Sequence, residues 1–386
     1  MIRLPNGENQ RMRGTPQINT KEAALADERQ SILRVIDPRP IRKEVPTFSE
    51  WFNGRFWYEH VVSRENKPSE VESKRSIFRT HLEPAFGSVR VDDIDVAAIA
   101  RFRAELKDKT AMAGRWGVKS LKQPRKLGRK RINNILAVLS KALRYAETAK
   151  VIPSAPRVGL LKWERPDIEF WEFEQYARIL GAARDREDAV WYVAVCLAGE
   201  SGLRVGEIKA LRWREDVDLV AGTITVNQQT RKNVTGTPKS GKRRTVPMSP
   251  TLIQALKRLD HVRTGFIVRN LDGTQKTDGQ CCKAINRICR RAGLPERGWH
   301  ALRHTFGTHA ALFGVNPWRL QAWMGHRRID ETMLYVHVAS DHLRPLTPEM
   351  LQAAGQESDP DRRIIRMLGA RSSVPFGPAH VQEASA

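Results

Sequence analysis

The stretch WMGHRRIDETMLYVH, residues 323–337, sets a histidine directly after a glycine and a tyrosine nine residues beyond it, in a chain with only five tyrosines. Tyrosine is a poor nucleophile, with a pKa near ~10. Tyr335 therefore either packs on the buried face of a helix or attacks a substrate that other residues have prepared. The rest of the chain decides between the two.

Sixty-six Lys and Arg against 43 Asp and Glu leave a formal charge of +23 over 386 residues. An excess of that size points to a polyanionic partner, foremost nucleic acid. A membrane surface is the rival. No apolar run approaches the ~20 residues of a span, and no basic amphipathic helix carries a clear Trp/Leu face. The N-terminus lacks the apolar core of a secretory signal. Four cysteines do not make a disulfide framework. A cytoplasmic, DNA-associated protein is expected.

Residues 1–44 are polar and carry Pro5, Pro16, Pro38 and Pro40. They read as a leader open to disorder, with one short amphipathic piece, KEAALADERQSILRVI. Residues 45–150 read as a small helical domain. Thr47 and Ser49 are its first candidate caps, and Phe48, Trp51, Phe52 and Trp57 its first apolar face. Asp92, Asp93 and Asp95 sit at the positive end of another helix. Ile132, Ile135, Leu136, Leu139, Leu143 and Ala146 recur at helical spacing. Residues 109–146 contain no acidic residue. Lys119, Lys122, Arg125, Lys126, Arg129, Lys130 and Arg131 lie there, and a phosphate-tracking surface explains them better than a merely solvated face, which would mix signs. Residues 151–168, with Pro153, Pro156 and Pro166, read as a linker. In 169–345, helices surround short β-branched strands in GTITVNQQT, RRTVPMS and GFIVR. Residues 346–386 read as a polar, irregular tail with one short helix, PEMLQAAGQ. The fold class is α+β: mainly α with a small antiparallel sheet.

Three further segments carry chemistry. ESGLRVGEIKALRW holds Arg204 and Glu207, which alone would be a surface i,i+3 pair. WHALRHTFGTH places His300 and Arg303 on one helix face. TPKSGKRRTVP is a basic turn between strands. No Gly-rich nucleotide loop is present. Cys281, Cys282 and Cys289 upstream of His300 and His304 invite a zinc site, but the spacing lacks a C-x2-C pair. Core cysteines are the better reading, and no metal is assigned.

Taken together, GLRVGE, HALRHTFGTH, LQAWMGH and TMLYVHV resemble the tyrosine recombinases, the phage integrase family, strongly over residues 170–343 and more loosely over 47–150. The resemblance implies a helical core-binding (SAM-like) domain and a catalytic domain that clamp DNA. Arg204 and Arg303 would grip the scissile phosphate, as planar guanidinium groups suit its oxygens. His300 and His326 would hydrogen-bond the phosphate or move protons, since histidine titrates near neutrality. Lys239, eight residues before Pro247, matches the family's hairpin lysine better than Lys242 does, and would protonate the leaving 5′ oxygen. Glu207 would orient its neighbours. Tyr335 would become linked to the 3′ phosphate, helped by the clustered positive charge. No cofactor is required. The implied partners are a double-stranded recombination site, three further copies of the chain and an accessory directionality factor. A mobile-element integrase is the leading role. A Xer-type enzyme resolving chromosome dimers and an inert DNA-binding relative are the rivals.

Overall fold

The computed structural model describes residues 2–3, 9–10, 20–36, 45–110, 126–164, 166–232, 234–238, 241–259, 263–340, 346, 348–355 and 357–371. Lys119, Lys122, Arg125 and Lys239 lie outside them. The chain divides into two compact units, Met1–Arg165 and Pro166–Ala386. Among the described residues no helix is long and apolar enough to cross a membrane.

The first unit is helical. In the leader, the amphipathic piece forms the helix Lys21–Ile36. Thr47 then opens the helix Phe48–Trp51 through a capping box: its hydroxyl accepts from the Glu50 amide, and the Glu50 carboxylate accepts from the Thr47 amide at 2.9 Å. The winding then changes. Phe52–Val62 is wound as a π-helix, with Gly54 outside helical torsions. The wider winding helps bring large rings onto one side, and Phe52 stacks on Phe78 at 4.1 Å. Phe48, Phe86 and Phe102 complete an aromatic core with the apolar stripe of Arg129–Thr148, whose Ile132, Ile135, Leu136, Leu139, Leu143 and Ala146 are all buried. Trp51 ties the two parts by donating to the Ala142 carbonyl.

The described part of 151–168 is not a loose linker. Its prolines bar a helix, but side chains of the first unit satisfy its backbone. Asn133 accepts from the Leu161 amide at 2.8 Å and donates to its carbonyl at 2.9 Å, and Arg103 donates to the Gly159 carbonyl. Ile152 is buried in the core of the first unit.

The second unit wraps helices around a small sheet. Val217–Asp218, Thr223–Val226 and Arg244–Pro247 form three antiparallel strands in that spatial order, with Ile224 opposite Val246. Gln229–Arg231 and Val234–Gly236 make a separate hairpin. GTITVNQQT is thus split between two sheets. GFIVR forms only isolated bridges: its amide and carbonyl groups pair with Leu211 and Trp213 in a loop rather than with a strand. Helices Phe173–Arg186, Ala189–Glu200, Pro250–Lys257, Asp278–Arg291 and Trp299–Leu312 enclose the core, and Cys281 and Cys289 are buried within it.

The largest departure from expectation is at the C-terminal end. Among the described residues from 346, Pro348–Gly355 is the expected short helix, but Pro360–Ala370 is a second helix where an irregular chain is expected. In PDRRIIRMLGA the arginines disguise an apolar stripe of Ile364, Ile365, Met367 and Leu368, which joins the second core. Arg371 follows, fully buried. It donates to the Leu368 and Gly199 carbonyls and lies over the Tyr176 ring.

If these helices belong to the folded unit, Leu368→Ala will cost about 2–5 kcal/mol of stability, as for a buried leucine. Leu351→Ala, on the half-exposed side of the neighbouring helix, will stay within about 0.5 kcal/mol. Urea unfolding of the two variants measures the contrast.

Candidate active site

The site is assembled from backbone turns as much as from side chains. The chain leaves helix Ala189–Glu200 through Gly202, whose φ of +65° suits glycine. A Cβ there would lie 2.4 Å from the Phe306 ring, so the position needs glycine twice over. The turn aims the Gly202 carbonyl at Arg303 and delivers Arg204 to the start of helix Val205–Ala210.

Glu207, three residues on, is fully buried rather than part of a surface pair. It accepts from the Arg204 amide at 2.8 Å and the Arg204 guanidinium at 3.0 Å. Arg244 completes a two-pronged pair with it at 3.0 and 2.7 Å. Burial pushes the Glu207 carboxyl up, but the Arg244 hydrogen bonds and the charges of Arg244, Arg303 and Arg204 reverse this and hold it at about 2.

Arg303, on helix Trp299–Leu312, is 1% exposed. Its terminal nitrogens donate to the carbonyls of Gly202 (2.5 Å) and Met324 (2.6 Å). Burial, and after it the charge of Arg204, lowers its pKa to about 9, while Glu207 and Tyr335 oppose the shift, so it remains a cation at neutral pH.

Tyr335, on helix Asp330–Ser340, is 3% exposed. Its hydroxyl shares a hydrogen bond with His304 Nδ1 at 2.9 Å. Its ring lies parallel to that of His326, 5.9 Å away and tilted by 12°. Gly307 makes room for it: a Cβ at Gly307 would stand 2.9 Å from three atoms of the phenol ring. His326 follows the left-handed Gly325 that ends helix Pro317–Met324, and its Nδ1 shares a hydrogen bond with the buried Thr332 hydroxyl. His300 is exposed and packs edge-on against His304 at 4.4 Å.

Arg204, Glu207, Arg303, His326 and Tyr335 are thus brought together, with His300 at the edge through His304. Lys239 lies outside the described residues. Of the basic residues of the first unit, Lys126 is paired with Asp108 at 2.8 Å, Arg129 and Lys130 are exposed in the first turn of their helix, and Lys130 sits over Trp163.

Two site residues escaped the sequence reading. In the sequence His304 reads as a zinc ligand, yet His300, Arg303, His304 and Gly307 follow i, i+3, i+4, i+7, one helix face. Arg244 was counted among hairpin charges, yet it shares the inward strand face with Val246, and an inward arginine needs a partner. His326 also departs from expectation. Burial, and then the charges of Arg303, Arg204, Arg244 and His304, lower its pKa to about 3, so it does not titrate near neutrality.

The phage integrase family profile matches residues 169–342, and the profile for the phage integrase N-terminal SAM-like domain matches 47–107. The chain belongs to the phage integrase family, the tyrosine recombinases. It is 32% identical over 148 residues to tyrosine recombinase XerC of Oceanobacillus iheyensis, covering 37% of this chain and 48% of that one. It is 29% identical over 230 residues to prophage integrase IntR of Escherichia coli K12, covering 50% and 54%. It therefore spans about half the length of the curated relatives it matches. Its fold is similar to Tn1549 transposon integrase in complex with a circular intermediate DNA (TM-score 0.61, 22% identity, 75% of this chain and 94% of that). It is also similar to a lambda integrase dimer bound to a COC′ core site (TM-score 0.59, 17% identity, 85% and 90%).

The depressed pKa of His326 has a consequence for stability. The unfolded chain takes up a proton near pH 6.5 that the folded site refuses until about 3. This contribution is complete above pH 6.5 and is lost as pH falls through that window; that of Glu207 is lost later, from about 4.5 down to about 2. His326→Gln will therefore flatten the decline in stability between pH 6.5 and 4.5. Urea unfolding of both proteins at several pH values measures the difference.

Proposed function

We propose that the chain is a site-specific DNA recombinase, an integrase that cleaves and rejoins DNA through a covalent 3′-phosphotyrosine. The observation that carries this reading is the Tyr335 hydroxyl, hydrogen-bonded to His304 and stacked on His326 in one pocket with Arg303 and Arg204. In the proposed step the phenol oxygen attacks phosphorus and its proton passes to His304 Nδ1. The bond from phosphorus to the 5′ oxygen breaks, and Lys239 protonates that oxygen. Arg204 and Arg303 offset the charge that builds on the non-bridging oxygens. A 5′ hydroxyl from another strand then reverses the attack and releases Tyr335. The phosphodiester energy is kept in the tyrosyl linkage, so the reaction runs without ATP, and no cofactor is assigned.

The DNA is a recombination site of a mobile element, bound in the cytoplasm by four copies of the chain, with an accessory factor setting direction. Similarity to a prophage integrase over 230 residues, against 148 for XerC, favours integration or excision over chromosome-dimer resolution.

Arg129, Lys130 and Arg131 begin a helix, the end where the macrodipole disfavours cations. A phosphate backbone docked there accounts for their placement. Lys119, Lys122, Arg125 and Lys126 belong to the same proposed DNA-binding stretch.

Covalent trapping tests the chemistry. The protein is mixed with nicked duplex fragments flanking its own coding sequence, then denatured, with and without EDTA. A protein-linked 3′ end is expected in wild type, absent in Tyr335→Phe and indifferent to EDTA. A metal-dependent cut without an adduct overturns the reading. For the binding surface, replacing Arg129, Lys130 and Arg131 together by Ala should reduce the slope of log affinity against log salt by about 2–3. An unchanged slope removes them from the interface.

A further inference from the structure

Arg244 is 9% exposed and sits on the sheet strand that follows the basic turn. Each of its three guanidinium nitrogens donates a hydrogen bond. Nη1 and Nη2 grip the two oxygens of Glu207, and Nε donates to the Trp323 carbonyl at 2.8 Å. The residue therefore joins segments that are far apart in the chain. Through Glu207 it reaches Arg204, whose amide and guanidinium rest on the same carboxylate. Through Trp323 it holds the end of helix Pro317–Met324, where the next carbonyl, of Met324, receives Arg303. The turn at Gly325 then leads to His326, and a Cβ on Gly325 would stand 2.9 Å from Arg244 Cδ. The glycine that releases His326 is thus also the glycine that lets Arg244 pass.

We infer that Arg244 is a positioning residue for strand cleavage: it fixes the Glu207 carboxylate and the Trp323–Gly325 turn in one register, so that Arg204, Arg303 and His326 converge on one phosphate. The inference rests on the recombinase reading above. Arg244 touches no reacting atom; it acts through the groups it holds. A purely structural ion pair is the alternative. Buried pairs add little net stability, since the desolvation of both charges offsets their attraction. Lysine cannot take over the role: a single ammonium does not span both carboxylate oxygens and a carbonyl in one plane.

The test is Arg244→Lys, assayed for single-turnover adduct formation on the nicked duplex that traps the wild-type protein, with Tyr335→Phe alongside. The wild-type and Tyr335→Phe lanes report on the recombinase reading; the ratio of Arg244→Lys to wild type reports on this inference. The variant should bind the DNA with unchanged affinity and form adduct about 10²-fold more slowly, as expected of an approximately 1 Å misplacement in the site. Repeating the assay with a methylphosphonate at the scissile position separates positioning from general damage. That linkage carries no charge on its non-bridging oxygen and leans less on the guanidinium clamp, so the ratio should move toward one. A folding defect would scale both substrates alike. Thermal unfolding checks the fold, and Arg244→Gln, which keeps amide donors without the charge, replaces the lysine variant if that one does not fold. A folded variant that cleaves at the wild-type rate, or a defect equal on both linkages, overturns the inference.

Discussion

The second unit turns on one buried carboxylate. Glu207 lies among three guanidinium groups, bonded to Arg204 and Arg244 and within the field of Arg303. One anion among three cations leaves the pocket with positive charge in excess. Removing so many charges from water is costly unless each is hydrogen-bonded; here the Glu207 carboxylate and the carbonyls of Gly202, Trp323 and Met324 supply those bonds. The remaining imbalance is of the sign that attracts a phosphodiester, and it exceeds the single negative charge that such a linkage carries. The carboxylate thus keeps the cations together without cancelling them.

Backbone geometry makes this possible. Gly202 and Gly325 both take left-handed torsions, and each stands beside a carbonyl that receives Arg303: its own at Gly202 and that of the preceding Met324. Gly307 removes a side chain where Tyr335 crosses helix Trp299–Leu312. The three glycines allow backbone, guanidinium and phenol to come closer than a Cβ would permit. A site held from the backbone resists sliding more than one built from long side chains alone, because rotamer freedom is removed where the charges meet.

The sequence disclosed the chemistry more readily than the packing. GLRVGE, HALRHTFGTH, MGH and TMLYVHV are each an unbroken run of the chain and name their side chains outright. Arg244 is obscured because Lys242 and Arg243 beside it are also basic; it is the first residue of the strand and faces inward with Val246, whereas the other two precede the strand and are exposed. His304 was obscured by the zinc pattern of the cysteines. The helix Pro360–Ala370 is hidden in the sequence because three arginines interrupt its stripe of four apolar residues. The π-helical winding of Phe52–Val62 leaves no mark in a pattern read at 3.6 residues per turn. The helix Arg129–Thr148 is legible in its apolar stripe, since Ile132, Ile135, Leu136, Leu139, Leu143 and Ala146 recur at helical spacing and are all buried.

The displaced titration of His326 changes how the histidines share the proposed reaction. Burial disfavours a protonated imidazole first of all, and among three arginines it would also add a fourth cation to a pocket already short of anions. The ring is neutral at physiological pH, and a neutral imidazole has one donor and one acceptor nitrogen. Thr332 is fully buried and faces Nδ1 at 2.9 Å. When its hydroxyl donates to Nδ1, the proton is fixed on Nε2, which becomes a hydrogen-bond donor for a phosphate oxygen without adding net charge. Proton removal from the phenol then falls to the other ring that Tyr335 meets, His304, whose Nδ1 already shares the hydroxyl's hydrogen bond. In the proposed reaction the two histidines that flank the tyrosine would divide the work: one stacks on the ring and would orient the phosphate, the other would take up the proton.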